Sequence, residues 1–337
     1  MSTWVRLSRY FAVLGCLLMS AWVFASACSA DSLYVGDFDA GQILQYNATT
    51  GAYIGTFGPA IGFPLGGAFG PNGDFYAVDD NIDTVLLLNG TTGATINSTF
   101  ATGVTDAAGV AFGPTGNLFV VGSSTPGLVT MLNGTTGAVI STSDAGGILG
   151  DPEGITRGPD GNIYVAGGDG ADVQEFNGTT GTYIKEFVAS GSGGLMSARG
   201  LTFGPDGNLY VTSFDTDQVL EYNGTTGAFI GVFASPGTGT CSTMYLPRDV
   251  QFGSDGNLFV TSYGSGDVFE FNGSTGACVS DFVPVGTGGI SAPLFLTFGP
   301  TSTTGTPTAP EPSSIALLAC ALAAVAALKR RNSQVSA

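Results

Sequence analysis

One phrase returns six times along the chain and limits what the chain can fold into. Tyr46-Asn47-Ala48-Thr49-Thr50-Gly51-Ala52 and its near copies place an Asn at 47, 89, 133, 177, 223 and 272, at intervals of 42, 44, 44, 46 and 49 residues. A second phrase is interleaved with it. Phe-Gly-Pro-x-Gly, followed by Asn or Asp, begins at Phe69, Phe112 and Phe203; the copy at Phe252 has Ser254 for Pro, and another has Arg157 for Phe. A truncated copy ends at Phe298-Gly299-Pro300. A period of about 45 residues, with two turn signals and short apolar runs in each, is the mark of an all-β ring of repeats, the β-propeller.

Each repeat reads as four strands. The copy beginning at Arg199 predicts an inner strand to Phe203, a turn at Pro205-Asp206-Gly207, and strands over Asn208 to Thr212, Gln218 to Tyr222 and Ala228 to Phe233. Pro fixes φ and Gly accepts the left-handed region in the first turn; Asn223-Gly224 supplies the two positive-φ residues of a tight outer hairpin, and the following Thr-Thr-Gly fits a slightly longer loop. Runs such as Leu209-Tyr210-Val211 are aromatic and β-branched, as strands buried between blades should be. Most of the 54 glycines fall in such turns.

Counting strands predicts how the ring closes. Leu33-Tyr34-Val35 is a second strand with no inner strand before it, and Leu294 to Phe298 is an inner strand with no second strand after it. The two complement each other, so Leu294 to Phe298 is expected beside Leu33 to Val35, completing six four-stranded blades with no open edge between the termini.

The chain has no His, which removes the commonest general base and proton shuttle. Net charge is −17 overall. Between Asp31 and Pro310 it is −21, with 25 acids against Arg157, Lys185, Arg199 and Arg248. Such a surface repels nucleic acid and anionic membrane, and favours cations or plain solubility.

The ends read as targeting segments. Residues 1–30 have Arg6 and Arg9, an apolar run from Tyr10 to Phe24, and small-residue cleavage sites at Ala25-Ser26-Ala27 or Cys28-Ser29-Ala30, as in a secretory signal peptide. The stretch before Cys28 is also a weak lipobox, lacking the usual Leu. After residues 31–300 comes a Thr/Pro/Gly linker, 301–309. Then follow Pro310-Glu311-Pro312, an apolar run from Ile315 to Leu328, and Lys329-Arg330-Arg331. The apolar run is short for a permanent span. Residues 310–337 resemble a PEP-CTERM sorting signal. That resemblance implies a Gram-negative-type bacterium, recognition by an exosortase after transient membrane contact, cleavage near Pro310 to Pro312, and delivery to the cell surface or extracellular matrix. A plain C-terminal anchor is the alternative.

Outside these segments stand Cys241 and Cys278, a disulfide candidate in an oxidising compartment. Cys241 falls in a connecting loop and Cys278 near a strand start, so pairing depends on the path of that loop.

Residues 32–300 resemble the six-bladed propellers of the NHL-repeat and virginiamycin B lyase-like type, which carry the same Phe-Gly-Pro-Asp-Gly-Asn-(Leu/Ile)-Tyr-Val phrase. The phrase consists of turn and core residues, so the resemblance speaks for fold more than function. The lyase-like enzymes depend on His, which is lacking here. Gluconolactonase-like propellers hold a divalent metal at the channel mouth. Glu153-Gly154 matches the start of one of their ligand phrases, but Arg199-Gly200 stands where Asn-Gly is expected, and a cation there opposes a metal.

Two site candidates remain. The second-to-third and outer-to-inner loops share one face, which carries Asp37, Asp39, Asp79, Asp80, Asp83, Asp169, Asp172, Asp215, Asp217 and Asp267. Asp79, Asp80, Asp83, Asp169, Asp172, Asp215 and Asp217 are candidate calcium ligands, the alternative being a solvated acidic rim. On the same face the inner strands begin at Leu65, Ala108, Glu153, Arg199, Arg248 and Leu294. Glu153, Arg199 and Arg248 there form either a self-neutralised network tying three blades or a site gripping an anion or polyol. The functional expectation is an exported surface or matrix propeller that binds glycans or matrix components or serves structurally. It requires no cofactor, and its runner-up is a metal-assisted lactonase- or lyase-type enzyme.

Overall fold

A computed structural model describes residues 32–237 and 241–300. The sorting motif Pro310, Glu311 and Pro312, the leader and Cys28 lie outside them. Twenty-four strands, β1 to β24 in chain order, form six four-stranded antiparallel sheets, and the described residues have almost no helix. The inner strands are β4 (Gly66–Phe69), β8 (Ala107–Phe112), β12 (Ile155–Arg157), β16 (Ala198–Phe203), β20 (Pro247–Phe252) and β24 (Pro293–Phe298), each lying against the next around a central channel. The chain is a six-bladed β-propeller. In the copy beginning at Arg199 every strand falls within one residue of its expected place, for example Gln218–Tyr222.

The ring closes between its ends. β24 pairs with β1 (Ser32–Asp37), with Leu33 opposite Phe298 and Val35 opposite Leu296, and β2 (Gln42–Asn47) and β3 (Tyr53–Phe57) complete that blade. Leu294, Phe295 and Leu296 are all buried, at about 2–5 kcal/mol for each such side chain lost.

Neighbouring blades share an aromatic seam. The Tyr or Phe of each second strand meets a Phe from its own outer strand and the last Phe of the next blade's inner strand, edge to face. Tyr210 does so with Phe233 at 4.8 Å and Phe252 at 5.0 Å between ring centroids. Tyr34, Tyr76, Tyr164 and Phe259 repeat the arrangement at their seams. Such pairs add about 0.5–1.5 kcal/mol beyond the area they bury. The sixth seam lacks it, because Arg157 replaces the inner-strand Phe and the outer strand β11 (Val139–Ser143) has no Phe, and Phe119 packs instead among aliphatic side chains such as Met131 and Ile163.

The outer hairpin differs from the sequence expectation. Positive φ falls not on the Asn-Gly pair but on the Gly that closes Thr-Thr-Gly, such as Gly227 at 71°. Asn is there to cap the loop. Asn223 Oδ1 accepts the amides of Thr225 and Thr226 at 3.1 and 2.9 Å, and the other five copies do the same. The Gly after Asn answers a different demand. A Cβ on Gly224 would lie 1.8 Å from the carbonyl oxygen of Gly207 in the adjacent Pro-Asp-Gly turn. In the first blade that turn is replaced by the junction of the chain's ends, and there the residue is Ala48.

Gly224→Ala should therefore cost about 1–3 kcal/mol in urea unfolding, while Ala48→Gly should cost less than about 1 kcal/mol. Equal costs at the two positions would contradict this account of the turn.

Candidate functional site

The channel carries the only concentration of charge inside the ring among the described residues. β16 and β20 are each bulged near their start, with register shifts between Ala198 and Leu201 and between Pro247 and Val250. These bulges carry Arg199-Gly200 and Arg248-Asp249 into the channel wall. A threonine beneath each bulge satisfies the displaced backbone. Thr212 Oγ accepts the Gly200 amide at 2.7 Å and donates to the Arg248 carbonyl at 3.0 Å. Thr261 Oγ accepts the Asp249 amide at 2.8 Å and donates to the Leu294 carbonyl at 3.1 Å. Each hydroxyl thus joins its inner strand to the next.

Glu153, Arg199 and Arg248 meet at one point. Glu153 Oε1 accepts from Arg199 Nη1 at 2.8 Å and from Arg248 Nη2 at 2.6 Å. Arg199 Nη1 also donates to Asp151 Oδ2 at 2.7 Å, and Asp169 lies 3.6 Å from Nη2. Phe214 and Tyr263 stand near the two guanidinium groups, with ring centroids 5.5 and 5.6 Å away. Burial disfavours the charge on Arg199, but Glu153, Asp151 and Asp169 outweigh it and raise the guanidinium above its ordinary range.

Behind the cluster, Asp249 accepts the amides of Val250 at 2.8 Å and Leu296 at 2.9 Å. Burial pushes its carboxyl up to about 6 against the opposing pull of those amides and of Arg248. The free space at this neck is ≈ 70 Å³, room for a few waters. Both guanidinium groups are engaged by protein carboxylates, and Glu153, the residue a metal would need, is held between them.

The acidic face is mostly occupied with the fold. Asp37 Oδ2 accepts the amides of Ser291 and Ala292 at 2.8 Å each, which fixes the approach to β24. Asp79 accepts the amides of Gly62, Phe63 and Asn81 at 3.1–3.2 Å. Asp217 accepts that of Leu246, and Asp267 that of Val285, both at 2.8 Å. Asp215 accepts the Ser197 hydroxyl, and Asp169 belongs to the Arg199 cluster. Asp172 is buried, and burial pushes it up to about 6.

The seven calcium candidates therefore do not form one site. Only Asp80 and Asp83 come together, joined by Asp106, which the sequence reading left out; their carboxylate oxygens lie within 4.8 Å of one another. Asp79, Asp169, Asp172, Asp215 and Asp217 stand apart from this group because they hold other partners or sit in other blades. Asp80 is pushed up to about 6, first by burial and then by Asp106 and Asp83.

Cys241 and Cys278 are joined as a disulfide, with Cα atoms 6.2 Å apart, linking the loop before β20 to the outer strand of the same blade, Cys278–Val283. Sequence reasoning missed Thr212, Thr261 and Asp106. The Val-Thr-Ser phrase that marks the two threonines occurs at 211–213 and 260–262, where other blades carry Gly, Ala or Val at the Thr position.

No family model matches the chain, and no curated protein matches it. Among solved structures, a chain from a crystal structure of a nidogen/laminin complex aligns with a TM-score of 0.64 and 17% identity, over 80% of this chain and 99% of that one. A protein of unknown function from Bacteroides caccae aligns at 0.58 and 14%, over 80% and 98%. Virginiamycin B lyase from Staphylococcus aureus aligns at 0.48 and 16%, over 64% and 68%. The first two likenesses are of fold.

The folded carboxyl of Asp80 titrates above its unfolded value of 3.8, so its charge costs stability, a cost absent below that pH and complete above about 6. Asp80→Asn should raise the metal-free melting midpoint at pH 7 by about 2 °C, and the gap should close as the pH falls to 4. A calcium ion held by Asp80, Asp83 and Asp106 would reverse that order, raising the wild-type midpoint with its concentration and leaving the variant's unmoved.

Proposed function

We propose that this chain is an exported, surface-sorted propeller that acts as a binding or structural module of a bacterial envelope or matrix. The observation that carries the reading is the engagement of Glu153 by both Arg199 and Arg248 at 2.6–2.8 Å. That contact makes the channel neck a tie between three blades. It works against the lactonase-type alternative, in which Glu153 would hold a divalent metal, since two cations already neutralise it. A neck of ≈ 70 Å³ also lacks room for a substrate beside the carboxylate.

Other features support the same reading. The Cys241–Cys278 bridge suits an oxidising compartment. The acidic surface, with 25 acids against four bases between Asp31 and Pro310, suits a soluble exported body and no nucleic-acid partner. Pro310-Glu311-Pro312 with its apolar run and basic end supports handling by exosortase-type machinery. The fold occurs in a nidogen/laminin complex, so service in an assembly of proteins is within its range.

Expressed in an exosortase-bearing bacterium, the chain should reach the cell surface or matrix, open to added protease on intact cells. Replacing Pro310, Glu311 and Pro312 with Ala should hold at least tenfold more of it in the membrane fraction. Retention of the wild-type chain in the cytoplasm would overturn the proposal.

A further inference from the structure

The channel opens more widely on the face opposite the acidic loops. There a cavity of ≈ 480 Å³ is lined by the ends of the inner strands of several blades and by the Pro-x-Gly turns beside them. That volume is within the range of small-molecule sites. Its wall has two characters. Phe69, Phe112, Pro71 and Pro114 supply apolar groups, while Thr156, Arg157, Gln251 and Thr297 supply polar ones.

Arg157 departs from the repeat. At the corresponding positions stand Phe69, Phe112, Phe203, Phe252 and Phe298, each closing an aromatic seam. Arg157 forgoes that packing, Phe119 has no edge-to-face partner among the described residues, and the Arg157 side chain is exposed. It is also the one base among the described residues without an acid partner: Lys185 pairs with Glu175, and Arg199 and Arg248 are held by Glu153. The side chains of Thr156, Gln251 and Thr297 make no hydrogen bond within the described residues, although Thr297 is 8% exposed. A free guanidinium, unused amide and hydroxyl groups, and apolar groups thus line one cavity.

We propose that this wide mouth binds a hydroxylated organic carboxylate of sugar-acid size. Arg157 takes the carboxylate through its planar fork, Gln251 and Thr156 take hydroxyls, and Phe and Pro rings receive the apolar face of the sugar. One guanidinium on a domain of formal charge −21 suits a monoanion better than a phosphate monoester, which brings more charge into the same repulsive field. The site goes beyond the module reading and stands whether or not the chain is exported.

The test is titration calorimetry of the purified full chain with glucuronate, its methyl ester and glucose as probes. Glucuronate should bind, and the two neutral probes should bind at least tenfold more weakly. Arg157→Phe restores the residue of the other repeats, so it should melt no lower than the wild type while binding glucuronate at least tenfold more weakly. Arg157→Lys, which keeps the charge but not the fork, should fall between the two. Absence of glucuronate binding, equal binding of acid and ester, or undiminished binding by a folded Arg157→Phe chain would each overturn the proposal.

Discussion

The ring holds because the second-strand aromatic of five blades is clasped between a Phe of its own outer strand and a Phe of the next blade. That contact repeats at five of six seams, with ring centroids 4.7–5.2 Å apart. A propeller blade cannot bury both faces alone, so the energy of the seams is the energy of the fold. Closure by β24 follows from the same need, since without it Phe259 would lose Phe298 and β1 would present an open edge. The departures from this pattern, Arg157 at the wide mouth and the charged neck, are where the chain serves something other than packing.

The neck is a second kind of seam. In the inner strands from Glu153 to Leu294 the ring is joined by polar contacts: one carboxylate oxygen between two guanidiniums, then Thr212 and Thr261 bridging backbone to backbone. A half-buried charge cluster of this kind stabilises little compared with apolar packing of the same volume, yet removing one member leaves a charge short of a partner. Its effect is to fix how three blades meet. The acidic face follows the same rule. Asp37, Asp79, Asp217 and Asp267 receive backbone amides of loops that have no strand to pair with. Much of the face's negative charge therefore serves the backbone, and Asp80, Asp83 and Asp106 are the group left close together.

The architecture was legible in the sequence because its determinants are local. Turn residues at fixed offsets and alternating apolar strands mark every blade, and counting strands found the junction of Leu33 to Val35 with Leu294 to Phe298. Glu153, Arg199 and Arg248 could be placed together because register alone puts them at the starts of adjacent inner strands. The meeting of Asp80, Asp83 and Asp106 was not legible. Which loop carboxylates meet depends on left-handed residues such as Asp83 and Asp106, both at φ 50°, whose effect on loop path has no periodic signature. The longer loop through Thr-Thr-Gly was legible, but the positive φ expected at Asn223-Gly224 was not: the Asn side chain caps the loop, the Gly yields to a neighbouring carbonyl, and Gly227 takes the positive φ. The wide mouth escaped notice because Arg157 looks like one degenerate letter of a repeat until the seam it breaks is seen.

The central claim is that the charged neck ties blades together, and urea unfolding of the full chain tests it most directly. Glu153→Leu should lose about 1–3 kcal/mol, because Arg248 is left without a carboxylate while Arg199 keeps Asp151 and Asp169. Adding Arg199→Met and Arg248→Met to that variant should restore most of the loss, since an apolar cluster can replace a half-buried ionic one. A Glu153→Leu chain as stable as the wild type, or a triple variant no more stable than the single, would contradict the account.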